Sequence, residues 1–195
     1  MKESSKSELM SWIKTIGITV IVVILVRSFL FSNYVVEGKS MMPTLQDGNR
    51  LIVGKLDYDL KKPDRFDIIV FHATETADYV KRVIGLPGDK VAYKNDTLYI
   101  NGKPMKEPYL KQYKARVTQG NLTPDFTLEE ITGETTVPKG KLFVLGDNRQ
   151  VSEDSRVFGF VDQDKVVGKV DLRIFPFNEM QIFTDKESGA SSAAE

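Results

Sequence analysis

The chain of 195 residues contains no cysteine, a single histidine and no excess of charge of either sign. Without cysteine there is no thiol nucleophile, no cysteine-ligated zinc or iron–sulfur site and no disulfide framework. The lone histidine, His72, excludes a site with several histidine ligands, and any histidine-dependent mechanism would depend on this one residue. Because 27 basic residues balance 27 acidic ones, no whole-chain field attracts nucleic acid, and no nucleic-acid partner is expected.

One long apolar stretch is present, between Trp12 and Phe31, interrupted near its end by Arg27 and Ser28. Its length of about 20 residues gives a helix of roughly 30 Å, which matches a bilayer core. A buried soluble helix is the alternative, but β-branched residues on every face argue against it. A cleaved signal peptide needs small residues before the cut, whereas positions 29–31 are Phe, Leu and Phe. We therefore predict a transmembrane anchor that is retained, with its orientation left open by nearly balanced flanking charges.

The remaining chain divides into one domain and a tail. Residues 1–31 form the tip and anchor, residues 32–186 a folded domain, and residues 187–195 a small, polar tail that we expect to be flexible. Roughly 155 residues remain once both ends are subtracted, which is about one domain. A two-domain enzyme is therefore excluded.

The folded domain has the pattern of an antiparallel β protein. Short runs rich in Val, Ile, Phe and Tyr are separated by turn dipeptides, among which Asn101-Gly102 is typical of a two-residue hairpin. Between residues 103 and 137 the pattern weakens, with one possible helix opened by Thr123, so we interpret this segment as an excursion from the β core. The predicted strands are Tyr34–Glu37, Arg50–Lys55, Asp67–His72, Tyr79–Gly85, Lys90–Lys94, Thr97–Ile100, Lys141–Leu145 and Val166–Phe175.

A first unusual segment, Gly38–Leu45 (GKSMMPTL), follows the predicted anchor closely. Even a fully extended chain from Phe31 to Ser40 spans at most about 30 Å, which would keep Ser40 near the membrane surface. A serine between glycine and proline is ordinarily a turn residue. The two methionines fit either a core or an exposed apolar surface for lipid or an extended peptide.

A second segment, Tyr79–Asp89 (YVKRVIGLPGD), contains two adjacent cations. On a strand, Lys81 shares a face with Tyr79 and Val83, while Arg82 projects to the other face. A lysine flanked by apolar side chains is a candidate for desolvation, which lowers its pKa and allows it to act as a neutral base. The ordinary alternative is an edge-strand lysine that discourages aggregation.

A third segment, Gly146–Arg156 (GDNRQVSEDSR), is dense in charged and hydroxyl side chains. It could be a solvated loop, or a hydrogen-bonded network that holds a neighbouring site rigid. A metal site is disfavoured, because Arg149 and Arg156 stand among the oxygen donors Asp147 and Asp154, and the calcium-loop spacing is absent.

Together with Arg65–Phe71 (RFDIIVF), these segments resemble, in the same order, four motifs of the bacterial type I signal peptidases. The resemblance extends from the anchor to about Phe177 and implies a mainly β, antiparallel signal-peptidase-like fold. Phe66 stands where the family usually has glycine, which raises the question of the local backbone. Gln150 and Val151 replace a pair that is usually more polar.

The resemblance also implies roles for individual residues. Ser40 is expected to be the nucleophile, Lys81 the general base, and Ser152 the hydroxyl that orients the lysine. The backbone N–H of Ser40 is a natural oxyanion donor, whereas the second donor of some relatives, a hydroxyl at the position of Gly38, is missing here. No cofactor and no metal is implied. The expected supporting polar residues are Asp147, Asp154, Arg156 and Arg82, with Asp147 near Arg82.

The expected function is that of a membrane-bound serine endopeptidase that removes A-x-A-type signal peptides from secretory preproteins. The single anchor is similar to that of the Gram-positive branch, which implies a monomer in the cell membrane with a cytoplasmic N-terminus and an extracytoplasmic catalytic domain. Two alternatives stay open. One is a membrane-tethered β-rich binding or assembly protein in which Ser40 and Lys81 are incidental; the other is a Ser/Lys self-cleaving regulator, for which an anchor has no evident use. His72 is interpreted as a satisfied strand-end histidine.

Overall fold

The computed structural model describes residues 2–55 and 62–183. A long helix, α1 (Lys2–Leu30), opens the chain and leads directly into the first strand. Within these residues no helix combines the length and apolarity needed to cross a bilayer, so the anchor expected at residues 1–31 is not found.

In the part of the chain that the structure describes, twelve strands form two antiparallel sheets. In chain order they are β1 (Phe31–Val35), β2 (Arg50–Gly54), β3 (Ile68–His72), β4 (Asp78–Gly85), β5 (Val91–Lys94), β6 (Thr97–Ile100), β7 (Lys103–Met105), β8 (Phe126–Thr127), β9 (Lys141–Leu145), β10 (Val161–Asp162), β11 (Val166–Phe175) and β12 (Gln181–Ile182). The larger sheet has the order β1-β2-β11-β3-β4-β9-β10, with β12 paired to β11, and the smaller has the order β7-β6-β5-β8. The prediction of a mainly antiparallel β domain is therefore confirmed.

All eight predicted strands are present, and four further strands were missed. The missed strands, β7, β8, β10 and β12, have only two or three residues, too few for an alternating pattern. The predicted hairpin is confirmed, because Asn101 and Gly102 join β6 to β7 with φ angles of 53° and 79°, as a two-residue turn of this kind requires. The first strand begins at Phe31 rather than Tyr34, since α1 passes into it without a loop.

The excursion at 103–137 is packed into the protein rather than projecting from it. Besides β7 and β8 it contains a 3₁₀ turn (Pro108–Leu110) and two short helices, α2 (Lys111–Lys114) and α3 (Leu128–Thr132). The helix expected after Thr123 begins only at Leu128, because Thr127 and Glu130 form a capping box that fixes its start.

Three apolar clusters hold the sheets together and position the site. One joins the small sheet to the large one through Phe66, Ile84 and Phe143. A second includes Met41 and Leu45, both almost fully buried, so the segment around Ser40 is anchored to the apolar core by these two side chains. A third lies on the other face of β4 and includes Ile69, Phe71, Val83 and Val144, with Tyr79 packed against it.

Phe66 adopts a backbone conformation that ordinarily favours glycine, with φ at 73°. Its ring is buried and lies 5.9 Å from the ring of Tyr109. Its N–H donates to the carbonyl of Val83 at 2.7 Å, and its own carbonyl accepts from Arg82 at 2.8 Å. These contacts hold the left-handed conformation despite the side chain, which answers the question raised by the departure from glycine.

Candidate active site

Ser40 and Lys81 meet midway along β4, although 41 positions separate them in sequence. The Nζ atom of Lys81 donates a hydrogen bond to Oγ of Ser40 at 2.9 Å. Lys81 is 4% exposed. A buried amine at hydrogen-bonding distance from a hydroxyl is the geometry that a lysine base and a serine nucleophile require.

Burial lowers the pKa of Lys81 from 10.5 to about 8. The negative charges of Asp154 and Glu153 act in the opposite direction and keep the pKa from falling further. The ring of Tyr79, whose centroid lies 5.1 Å from Nζ, also favours the charged form. At pH 7, Lys81 is therefore neutral in about one molecule in ten.

Hydrogen bonds from two other segments hold the backbone around Ser40 in place. On one side, the N–H of Gly38 donates to the carboxylate of Asp47 at 2.7 Å, with Gly38 in a left-handed conformation at a φ of 92°. On the other side, the carbonyl of Ser40 accepts from the N–H of Asn148 at 2.9 Å, and the Asn148 side chain donates to the carbonyl of Lys39 at 3.1 Å. Ser40 is thus tied to the 146–156 loop by its main chain.

Gly146 leaves room for this close approach. A Cβ atom at this position would lie 2.1 Å from Oγ of Ser152 and 2.5 Å from the carbonyl oxygen of Ser40. Ser152 is buried, and its Oγ has no hydrogen-bond partner within residues 2–55 and 62–183. The hydrogen bond expected between Ser152 and Lys81 is therefore not formed in this structure.

Arg82 and Asp147 form a buried ion pair on the face of β4 opposite Lys81. The guanidinium donates to both carboxylate oxygens, at 2.8 and 2.7 Å, and the hydroxyl of Thr44 donates to the same carboxylate at 2.5 Å. Burial disfavours the charged guanidinium, but the Asp147 carboxylate more than compensates, so the pKa of Arg82 is raised. Because Lys81 lies with Tyr79 on the other face, the predicted separation of the two cations agrees with the structure.

Asp154 and Arg156, both expected to be supporting residues, form a second ion pair. Arg156 donates to both oxygens of the buried Asp154 carboxylate at 2.8 Å, and the N–H of Gly146 donates to it at 3.0 Å. Asp154 also caps the short helix α4 (Ser155–Phe158) by accepting from the N–H of Arg156. Since both loop aspartates are bound by arginines, neither offers a free carboxylate to a cation.

Sequence reasoning missed a buried cluster around Arg149. Its guanidinium is fully buried, donates to Glu107 at 2.7 Å and contacts the hydroxyl of Tyr93, and its Nε donates to the carbonyl of Gly146 at 3.0 Å. Glu107 lies in the excursion, 42 positions away. Nothing local in the sequence points to this partner, although an arginine inside the Gly146–Arg156 motif could have been assigned a structural role.

His72 lies away from the reactive pair, at the end of β3. Its Nδ1 is 2.6 Å from one carboxylate oxygen of Asp78, and the hydroxyl of Tyr34 donates to the other oxygen at 3.0 Å. The interpretation of His72 as a satisfied strand-end histidine is confirmed. None of its contacts among the described residues involves Ser40 or Lys81.

Comparison with known proteins identifies the family of this chain. The profile of the signal peptidase family, peptidase S26, matches residues 9–175. A signal peptidase I of Bacillus caldolyticus is 64% identical over 83% of this chain and 89% of its own length. A signal peptidase IB of Staphylococcus aureus is 46% identical over 90% of this chain and 94% of its own.

A solved structure extends the comparison to three dimensions. The crystal structure of a signal peptidase I from Enterococcus faecalis is 54% identical and superposes with a TM-score of 0.54, covering 56% of this chain and 97% of that one. A β domain that brings a serine hydroxyl to a buried lysine fits the class of serine endopeptidases, to which these matches assign the chain. With matches of this extent, the chain belongs to the signal peptidase family, peptidase S26.

Proposed function

We propose that this protein is a type I signal peptidase, which removes N-terminal signal peptides from preproteins, with Ser40 as nucleophile and Lys81 as general base. The observation that carries the assignment of roles is the 2.9 Å hydrogen bond from Nζ of Lys81 to Oγ of Ser40. The pKa of Lys81, lowered to about 8, supports it, because a base must be neutral before it can accept a proton.

The reaction would proceed in two stages. Oγ of Ser40 attacks the carbonyl carbon of the residue before the cut while its proton passes to Nζ of Lys81. Collapse of the tetrahedral intermediate breaks the peptide bond, and the lysine hands this proton to the leaving amine, which gives an ester on Ser40. A water molecule then attacks the ester carbonyl while Nζ of Lys81 takes its proton; the acyl C–O bond to Ser40 breaks, and the lysine returns the proton to Oγ, which restores both residues.

The negative charge on the tetrahedral oxygen needs donors. The backbone N–H of Ser40 is the first. Gly38 has no hydroxyl to supply the second, and its own N–H is engaged by Asp47. A water molecule or another backbone group takes this place.

The remaining site residues position the pair and do not touch substrate. Ser152 is proposed to orient the lysine, since its buried, unpartnered hydroxyl gains a partner if it turns to Nζ. The supporting ion pairs keep the 146–156 loop in contact with the carbonyl of Ser40. These pairs are Arg82 with Asp147 and Asp154 with Arg156.

The substrate would bind as an added strand. Positions 78–81 of β4 pair with β3 on one side, but β9 joins the other side only from Arg82 onward. An extended peptide can therefore hydrogen-bond to this free edge next to Ser40. The wall beside it is filled by Val36, Met41 and Val80, so only small side chains fit one and three residues before the cut. This accounts for an A-x-A preference.

A membrane location is proposed for the same protein. The apolar sequence of residues 1–31 supports a single-pass anchor with a cytoplasmic N-terminus and an extracytoplasmic, monomeric catalytic domain. Exposed apolar side chains at the Val35 end of β1 and on the neighbouring segment from the end of β11 to β12 are consistent with contact with lipid. They are Val35, Phe175, Phe177, Met180 and Ile182. Resistance of this domain to protease added from the cytoplasmic side of inverted vesicles tests the orientation.

The decisive experiment is cleavage of an A-x-A preprotein by purified protein and its variants. Ser40→Ala and Lys81→Ala should each lose at least about a thousandfold in rate while remaining folded, because the two groups act as one unit. Lys81→Arg should fail as well, since a guanidinium does not give up its proton near neutral pH. Lys94→Ala, which removes an exposed lysine of β5, is the matched control and should cleave normally.

The outcomes separate the candidate functions. Near-normal cleavage by Ser40→Ala or Lys81→Ala would refute the assigned roles. A folded wild-type protein that cleaves no preprotein would favour the membrane-tethered binding protein. Cleavage confined to its own chain would favour the self-cleaving regulator.

A further inference from the structure

An open groove beside Lys81 has no part in the mechanism given above. It encloses about 280 Å³. Its lining includes the rings of Phe71, Tyr79 and Phe158, whose centroids lie 6.2 to 6.4 Å apart, and polar side chains at His72, Glu153, Asp162 and Lys165. Phe158 is 40% exposed, so part of this aromatic surface faces solvent. A space of this size suits one large side chain rather than a longer segment.

The groove adjoins the reactive lysine. The Tyr79 ring that lines it is the one whose centroid lies 5.1 Å from Nζ of Lys81. The Glu153 carboxylate in its lining is close enough to act on the pKa of the same amine. An extended substrate held at Ser40 and running along β4 towards Tyr79 would therefore lie beside the groove.

The two faces of β4 differ at the level where substrate would lie. Val80 projects to the face already filled by Val36 and Met41, whereas Tyr79 projects to the face that carries the groove. A strand added along the free edge also alternates, so its successive side chains point to the filled wall and to the groove in turn. The substrate residues one and three positions before the cut, which are restricted to small side chains, must face the filled wall. The residue between them then faces the groove.

We propose that the groove is a subsite for the side chain two residues before the cut, and that it favours large apolar or aromatic side chains there. The inference rests on the proposed function, because it takes the small residues on either side from the A-x-A preference. It assigns Phe158 as a residue that determines specificity without touching Ser40 or Lys81. The enzyme would thus also recognise the side chain at the middle position of the A-x-A pattern, which the pattern itself does not restrict.

The test compares preproteins that carry Gly, Leu or Phe two residues before the cut and Ala on both flanking sites. Wild-type protein should cleave the Phe and Leu substrates about five- to tenfold faster in kcat/KM than the Gly substrate. Phe158→Ala should abolish this preference and leave cleavage of the Gly substrate unchanged. Val157→Ser, which alters the neighbouring and more exposed residue of α4, should behave as wild type.

Each outcome decides the matter. Equal cleavage of the three substrates by wild type, or an equal loss on all three in a folded Phe158→Ala protein, overturns the subsite. If Phe158→Ala does not fold, Phe158→Leu keeps a smaller apolar side chain in place and should reduce the preference for Phe over Gly; an unchanged preference would overturn the subsite. Failure of wild type to cleave any of the substrates would refute the proposed function itself, whereas cleavage without preference refutes only the subsite.

Discussion

Cleavage should rise with pH through a single limb near pH 8, because only the neutral form of Lys81 accepts the serine proton. With the pKa lowered from 10.5 to about 8, about a tenth of the lysine is neutral at pH 7 and about nine tenths at pH 9. The rate should therefore increase about tenfold over this interval. At pH 7 the neutral fraction of an unperturbed lysine, with a pKa of 10.5, would be about 300-fold smaller than that of Lys81.

The assay is kcat/KM for a preprotein with Gly two residues before the cut, measured from pH 5.5 to 10. Because the charge of Glu153 raises the pKa of Lys81, Glu153→Gln should move the limb to lower pH and raise the rate at pH 7 about two- to threefold. Glu129→Gln removes an exposed carboxylate of α3 and serves as the control. A limb near 10, or a limb near 6.5 that disappears in His72→Ala, would refute the role of Lys81.

The same perturbed pKa should appear in protein stability. Lys81 binds its proton less tightly in the folded state than in the unfolded state, so between about pH 8 and 10.5 the unfolded chain holds more protons and stability increases with pH. From pH 7.5 to 9.5 the wild type should gain about 1–2 kcal/mol in unfolding free energy relative to Lys81→Met. Urea denaturation of both proteins measures this difference, and parallel curves would contradict the pKa assignment.

Three further predictions concern the loop and the substrate. Asp154→Ala leaves Arg156 without its partner and should cost about 3 kcal/mol in urea unfolding together with activity; a fully stable but inactive variant would indicate a direct chemical role. Gly146→Ala should reduce kcat about a hundredfold, because the new methyl group displaces Ser152 and the carbonyl of Ser40. A near-normal kcat would show that catalysis does not need the close contact between Gly146 and these two residues. Phe one residue before the cut should stop cleavage of an otherwise normal preprotein, and efficient cutting there would argue against the shallow pocket.

The parts of the fold that sequence predicts are those encoded by local patterns. Eight strands with alternating or apolar runs were located, and the Asn101-Gly102 turn fixed one hairpin, since the cause of each lies within a few neighbouring residues. The four shortest strands, β7, β8, β10 and β12, could not be located from the sequence, because strands of two or three residues form only where a partner strand is already in place. The start of α3 depends on its capping box and was placed too early.

The site divides in a similar way. The opposite faces of Lys81 and Arg82 follow from strand alternation alone. The meeting of Ser40 with Lys81 was anticipated only from the resemblance, since contact across 41 positions is a property of the tertiary fold. Glu107 could not be found from sequence, because its partner Arg149 is brought to it only when the two sheets pack. The transmembrane anchor and the role of Ser152 stay predictions.

The buried contact between Glu107 and Arg149 limits how this enzyme can be recombined with its relatives. The strand pattern of the sequence weakens across the excursion at 103–137, yet this segment supplies the carboxylate that binds Arg149, whose Nε in turn donates to the carbonyl of Gly146. A chimera that exchanges the excursion for one without this carboxylate, and keeps the 146–156 loop, would leave the buried guanidinium of Arg149 without its partner. The two segments should therefore be inherited and engineered as one unit, although 42 positions separate Glu107 from Arg149 in the chain.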